Sequence, residues 1–294
     1  MELIQQLRDY EPALVKKIFD YVFVPCSEDR EGKHKYIRAM PISGTNTISD
    51  EAFYGNKTLE WIIIDDSVKT IGTNAFSDCL KLTHVSVGDS VETIGECAFY
   101  NCSNMRDITI PASVISIGKW AFMECPKLTN ITIPASVISI GKCAFTYCSN
   151  LTKVTIPGSV ISFGEYAFAG CSKLTNITIP YLVTSIGDNC FDQCSKLTNI
   201  TIPDSVTSIG EYAFNRCSKM THLTIGNSVT SIGEYAFNRC SKLTQVTIPN
   251  SVKNVGNSAF SICSSLREVS IPGHLEKIVK DNKVFPKNTN VIVR

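Results

Sequence analysis

The cysteines of this sequence constrain its fold more than any other feature. Cys79, Cys102, Cys125, Cys148, Cys171, Cys194, Cys217, Cys240 and Cys263 lie 23 residues apart. A fixed period of about 20 to 29 residues is the mark of a solenoid, in which each coil buries its apolar edges only against its neighbours. A phenylalanine row keeps the same register without a substitution: Phe53, Phe76, Phe99, Phe122, Phe145, Phe168, Phe191, Phe214, Phe237 and Phe260. Together the two rows frame ten coils of 23 residues from Ser43 to Pro272, with no insertion or deletion. A length of 294 residues alone would suggest about two globular domains. The period replaces that expectation.

The coil from Asp204 to Gly226, DSVTSIGEYAFNRCSKMTHLTIG, represents the rest. Its segment THLTI alternates so that Leu223 and Ile225 share the inner side and His222 and Thr224 the outer, the pattern of a half-buried strand. Proline follows that strand in most coils and ends it cleanly. A turn-prone pair and a short extended Val-x-x-Ile run come next. The following glycine, Gly72 through Gly256 with Ser49 in the first coil, is expected at a corner of positive φ. From there to the cysteine the coil has room for about one or two turns of helix.

Stacked coils place like residues above like at about 4.8 Å, so ten of them make a rod or arc of roughly 48 Å with a parallel sheet along one side. The end coils need covers. Residues 1–42 are expected to form an N-terminal cap, because Leu3, Leu7, Tyr10, Leu14, Ile18 and Val22 make an amphipathic stripe that Pro12 divides into two helices. Residues 25–42 are charged first and then extended. Residues 43–272 are the solenoid. Residues 273–294, where Phe285 comes 25 positions after Phe260, form a C-terminal cap ending in the strand-like VIVR.

Nothing in the chain suggests catalysis. The cysteine row would stack within reach of disulfides, but side chains of one ladder all point the same way, which suits packing better than the disulfide dihedral of about 90°. The row reads as buried, reduced, structural thiols, and Asn56 holds its place in the first coil. Cys97, Cys143 and Cys190 have no neighbouring histidine to complete a zinc site, and Cys26 stands apart. His34, His84, His222 and His274 are scattered, and no phosphate-loop, nucleophile-elbow, zinc or dinucleotide motif occurs. No metal or cofactor is expected. The six N-x-S/T sequons read as by-products of a repeat rich in Asn and Thr.

A formal charge of +1 gives no chain-wide pull toward nucleic acid. No run reaches the roughly 18 to 20 apolar residues of a membrane span, and MELIQQLRDYEP lacks the apolar core of a secretory signal. A cytoplasmic location is therefore expected. The row Lys81, Lys127, Lys173, Lys196, Lys219 and Lys242, joined by Arg216 and Arg239, shares coils with Asp188, Glu211 and Glu234 and reads as a solvated face.

The repeated string S-V-x-S-I-G-x-x-A-F-x-x-C-S-x-L-T-x-I-x-I-P resembles the BspA-like (Treponema-type) leucine-rich repeat proteins over residues 43–272. The resemblance implies an α/β repeat solenoid: a right-handed leucine-rich repeat superhelix with a parallel β-sheet, ten 23-residue coils and, here, a helical N-terminal cap. Secreted bacterial members look like adhesins, which would imply a surface location.

With no catalytic constellation, function falls to the surface. The outward strand row includes Trp61, His84, Asp107, Lys153, His222 and Glu268, different in size and charge over a constant frame, which is how solenoids build partner specificity. A second candidate is the apolar strip Ile115, Ile138 and Ile161, flanked by Trp120 and Tyr166. The expectation is a non-catalytic protein-interaction scaffold. Its alternatives are an adhesin or a structural component of a particle or filament. The partner is expected to be a protein, with no nucleic acid and no membrane insertion, and self-association stays open.

Overall fold

The computed structural model describes the backbone of residues 22–28 and 34–294, and side chains from Ile42 onward. It is a parallel β-solenoid whose coils repeat every 23 residues. Two rows of short strands run along it. One contains the strands Trp61–Ile64, His84–Val87 and their successors, with Trp61 paired to His84 and His84 to Asp107. The other is built from the Val-x-x-Ile runs, where Thr47–Ile48 pairs with Thr70–Ile71 and so on through Asn254–Val255. Alternation puts Ile62 and Ile64 in the core with Trp61 and Ile63 half-exposed, as a strand buried on one face requires.

The third wall corrects an expectation. Between the corner glycine and the cysteine there is no helix but a run of turns. Each of coils 2–10 has two residues here in the left-handed region, such as Asn74 and Asp78 at φ 52° and 60°, or Trp120 and Glu124 at 54° and 59°. These interrupt helical winding and send alternate N–H groups outward along the solenoid. Asn74, Phe76 and Asp78 donate to the carbonyls of Glu96, Ala98 and Tyr100 in the next coil over 2.8–2.9 Å. Bulky residues accept the unfavourable φ because these N–H groups, from Asn74 to Ser258, gain a partner that an isolated coil lacks.

The corner glycines serve a different purpose from the one the sequence suggests. None from Gly72 to Gly256 has positive φ. A Cβ on Gly95 would lie 2.7 Å from the backbone of Gly72, and one on Gly118 2.5 Å from that of Gly95. Glycine is needed for close stacking on the preceding coil, which is why the first coil can carry Ser49.

The core is a set of ladders. Successive phenylalanine rings from Phe53 to Phe260 stack with centroids 4.9–5.6 Å apart. One coil departs from the pattern. Phe163 replaces the usual Ile and sits edge-on to Phe168 and Phe191 at 6.1 and 5.9 Å. Here the Val-x-x-Ile row splits into a six-stranded and a four-stranded sheet. Corner N–H groups on both sides of the split bond to the preceding coil, as Gly164 does to Ile140 and Gly210 to Ile186, but the bonded series skips Gly187. The larger ring sits at the place where that bond to coil 6 is missing.

At the N-terminus the described residues form an antiparallel hairpin, β1 (Val22–Glu28) with β2 (His34–Ile42), and β2 pairs in parallel with Trp61–Ile64. The expected helical stripe over residues 1–21 lies outside the described residues. Its last member, Val22, belongs to a strand. At the C-terminus the 23-residue spacing is lost but the stacking is not: Phe285 packs on Phe260 at 5.4 Å, and Asn290–Val293 pairs with Glu268–Ile271. The extra length is taken up by helix α1 (Glu276–Asp281). The segment is an eleventh turn of the solenoid.

Candidate protein-binding face

The outward strand row gathers on one wall the residues singled out from sequence. Trp61 and His84 rings touch, with centroids 4.4 Å apart and tilted by 42°. His84 Nδ1 pairs with Thr83 Oγ1 at 2.9 Å, and its Nε2 lies 3.7 Å from Asp107 Oδ2. Three coils therefore share one aromatic and polar cluster. Trp61 is half-buried, and its neighbour across the sheet on β2 is Ala39. Further along, His222 Nδ1 meets Asn199 Oδ1 at 3.0 Å and Thr221 Oγ1 at 2.9 Å. Lys153 and Glu268 are exposed.

Ile115, Ile138 and Ile161 belong to a different wall, the one that carries the Val-x-x-Ile runs, and are 54%, 52% and 47% exposed. Trp120 is half-buried and Tyr166 exposed, both at left-handed positions of the turn wall. The fold does not merge this strip with the Trp61 row. Sequence reasoning missed two residues that extend the strip: Tyr181 and Leu182, 70% and 43% exposed. Their signal was the run PYLV, where other coils have a small or polar residue and then Ser before the Val.

The ladder cysteines are free thiols and buried. Burial pushes Cys79 and Cys148 up to about 12, and the thiols of Cys102, Cys125, Cys171 and Cys217 rise for the same first reason. A polar ladder runs behind the turn wall, also unforeseen: Ser261 Oγ donates to Asn238 Oδ1, Asn238 Nδ2 to Asn215 Oδ1, and Asn215 Nδ2 to Asp192 Oδ1, over 2.7–2.8 Å. Among the described residues no cluster of His, Cys, Asp or Glu could hold a metal ion, and no helix is long and apolar enough to cross a membrane.

Comparison places this architecture among known repeats. The family model described as the BspA type leucine rich repeat region matches residues 46–175 and 162–292. A leucine-rich repeat protein from Bacteroides ovatus is 26% identical, with 92% of this chain and 91% of that one covered and a TM-score of 0.51. A leucine rich cell surface protein from Faecalibacterium prausnitzii is also 26% identical, over 84% and 82% of the two chains, with a TM-score of 0.46. The leucine rich repeat protein of T. pallidum is 18% identical over 98% and 100%, at 0.48. No curated protein sequence matches.

Proposed function

This chain belongs to the BspA-type leucine-rich repeat family, and on that premise we propose that it is a non-catalytic protein-interaction scaffold binding a polypeptide partner through its outward strand row. One observation carries the reading. The inner positions of the strands repeat Ile, Val and Leu, whereas the outer row changes from Trp61 and His84 to Asp107, Lys153, His222 and Glu268. A frame that stacks does not need such variety; recognition does. The Trp61–His84 pair is the expected anchor, since a large aromatic contact is where binding energy concentrates.

In the same reading the coils wind as a right-handed superhelix. The protein acts in the cytoplasm, which the twelve free cysteines among the described residues support because a reducing compartment keeps thiols unpaired.

The test is partner capture from the native source by the intact chain, by a Trp61→Ala variant and by an Ile138→Ser variant, with melting temperatures alongside. Loss of capture by Trp61→Ala at unchanged melting temperature supports the strand face. Loss by Ile138→Ser alone moves the site to the isoleucine strip. Retained capture by both rejects the reading.

A further inference from the structure

Charge is sorted within the coils in a way the linear sequence conceals. In coils 6 to 9 the stretch from the residue before the ladder cysteine to the end of the next strand reads GCSKLTNITI, QCSKLTNITI, RCSKMTHLTI and RCSKLTQVTI. These four stretches hold Lys173, Lys196, Arg216, Lys219, Arg239 and Lys242 and not one Asp or Glu. All six cations are exposed. Among the described residues none of the six is in an ion pair, whereas Lys142 pairs with Glu165 and Lys69 with Glu92.

The acids of these coils sit elsewhere. Asp188 and Glu211 line a cleft on the turn wall with Glu165, Lys142 and Arg216. Asp192 is buried, its oxygens taken by Asn215 Nδ2 and Gln193 Nε2. A separate groove of about 610 Å³ carries Arg216 and Arg239 above a row of serines, with Tyr147 and Ile262 among its lining residues and no carboxylate. The serine hydroxyls are committed, since Ser195, Ser218 and Ser241 donate to the serine carbonyls of the preceding coils. The groove's charged donors are therefore the guanidinium groups of Arg216 and Arg239, and no carboxylate lines the groove to neutralise them.

We propose that this basic band binds an extended acidic polypeptide segment lying along the solenoid axis, with carboxylates against Arg216, Arg239 and the lysine row. The proposal rests on the interaction-scaffold reading only in taking the partner to be a polypeptide. The arginine fork matches a carboxylate with two parallel hydrogen bonds. Coils 6 to 9 rise by 5.2–5.6 Å each at the phenylalanine ladder, so the band spans about 16 Å, or about five residues of extended chain. The four stretches hold no Phe, Tyr or Trp, and Tyr147 is the one aromatic residue lining the groove, which disfavours single-stranded nucleic acid, whose successive bases each need a stacking platform.

The experiment is fluorescence anisotropy of the full chain with a labelled oligo-glutamate peptide of about eight residues, enough to span the band. An oligo-glutamine peptide, an oligo-thymidylate and a sulfated oligosaccharide are run in parallel. Oligo-glutamate is expected to bind while oligo-glutamine does not, with affinity falling as salt rises from about 50 to about 500 mM. Arg216→Ala with Arg239→Ala is expected to weaken binding at least about tenfold, and Glu211→Gln in the other cleft to leave it intact. If the arginine pair fails to fold, Lys196→Gln with Lys219→Gln provides the same readout from the lysine row. No binding of oligo-glutamate at low salt, tighter binding of the sulfated sugar or the nucleic acid, or unchanged binding by the folded variants would overturn the proposal. Trp61→Ala should leave peptide binding unchanged, so the band and the strand face fail or survive separately.

Discussion

The thiol of Cys79 donates to the backbone carbonyl of Phe53, one coil earlier, over 3.1 Å. Eight further cysteines make the same bond to the phenylalanine 26 residues before them, at 3.1–3.4 Å. Each sulfur thus fills a core position and ties its coil to the previous one. Asn56 accepts from the N–H groups of Thr58 and Leu59 instead, within its own turn. The ladder needs the protonated thiol, and burial makes the thiolate costly.

This predicts the direction of alkaline sensitivity. Thiols that titrate near 9 in the unfolded chain are held up to about 12 at Cys79 and Cys148 in the fold. Their contribution is fully present below about pH 9 and is lost as pH rises toward about 12, because there the unfolded chain has released protons that the folded chain keeps. Melting temperature followed by circular dichroism should be level from about pH 6 to 8 and fall steeply above about pH 9. A level profile to about pH 11 would show that the ladder thiols ionise without opposing the fold.

Reactivity should follow the same burial. Among the described cysteines Cys97 alone is half-exposed, while Cys143 and Cys190 are buried along with the ladder. Under native conditions a thiol reagent should modify Cys97 before any ladder cysteine, and in denaturant all thirteen cysteines should react. Peptide mapping that found ladder cysteines modified first would contradict the burial, and an intact mass indicating several disulfides would contradict the free ladder.

The period made the inner ladders and the outer strand row legible, because a residue's place in a 23-residue frame fixes its neighbours. Trp61, His84 and Asp107 stand side by side as that register requires. The turn wall was not legible. Its left-handed positions hold Trp120, Tyr147 and Arg216 rather than glycine, and the bonds that compensate them exist only once coils stack. Grouping charges by coil also hid that Glu211 and Arg216 line one cleft while Arg216 alone of the two reaches the groove with Arg239. The N-terminal hairpin was only half foreseen, since the charged start of residues 25–42 masks the strand character of VFVPCSE.

The corner glycines offer a direct test of stacking. Gly118→Ala would press a methyl to 2.5 Å from the Gly95 backbone, so a cost of about 1–3 kcal/mol is expected, the usual range for overpacking. Ser49→Ala, at the same corner of the first coil, should change stability by less than about 0.5 kcal/mol. Urea titrations of the two variants decide it; equal effects would mean that the preceding coil does not set the constraint.

Phe163 provides the last prediction, because its ring is the one departure from the ladder chemistry that coincides with a break in the hydrogen bonding. Other coils have Ile or Val at this position, and its carbonyl accepts from the corner glycine of the next coil, as Ile186 does from Gly210 over 2.8 Å. At coil 7 a Cβ on Gly187 would clear its nearest neighbour by 3.3 Å, against 2.4–2.7 Å at the other corners. The wider clearance coincides with the larger ring, so the ring is expected to act as a wedge. Phe163→Ile should let the coils close, protect the Gly187 amide from hydrogen exchange and raise stability by about 1 kcal/mol, within the cost that overpacking exacts. If the ring instead fills space the fold cannot close, the same substitution will lower stability by about 1–3 kcal/mol through the cavity it leaves, with the Gly187 amide still unprotected. Hydrogen exchange at that one amide separates the two.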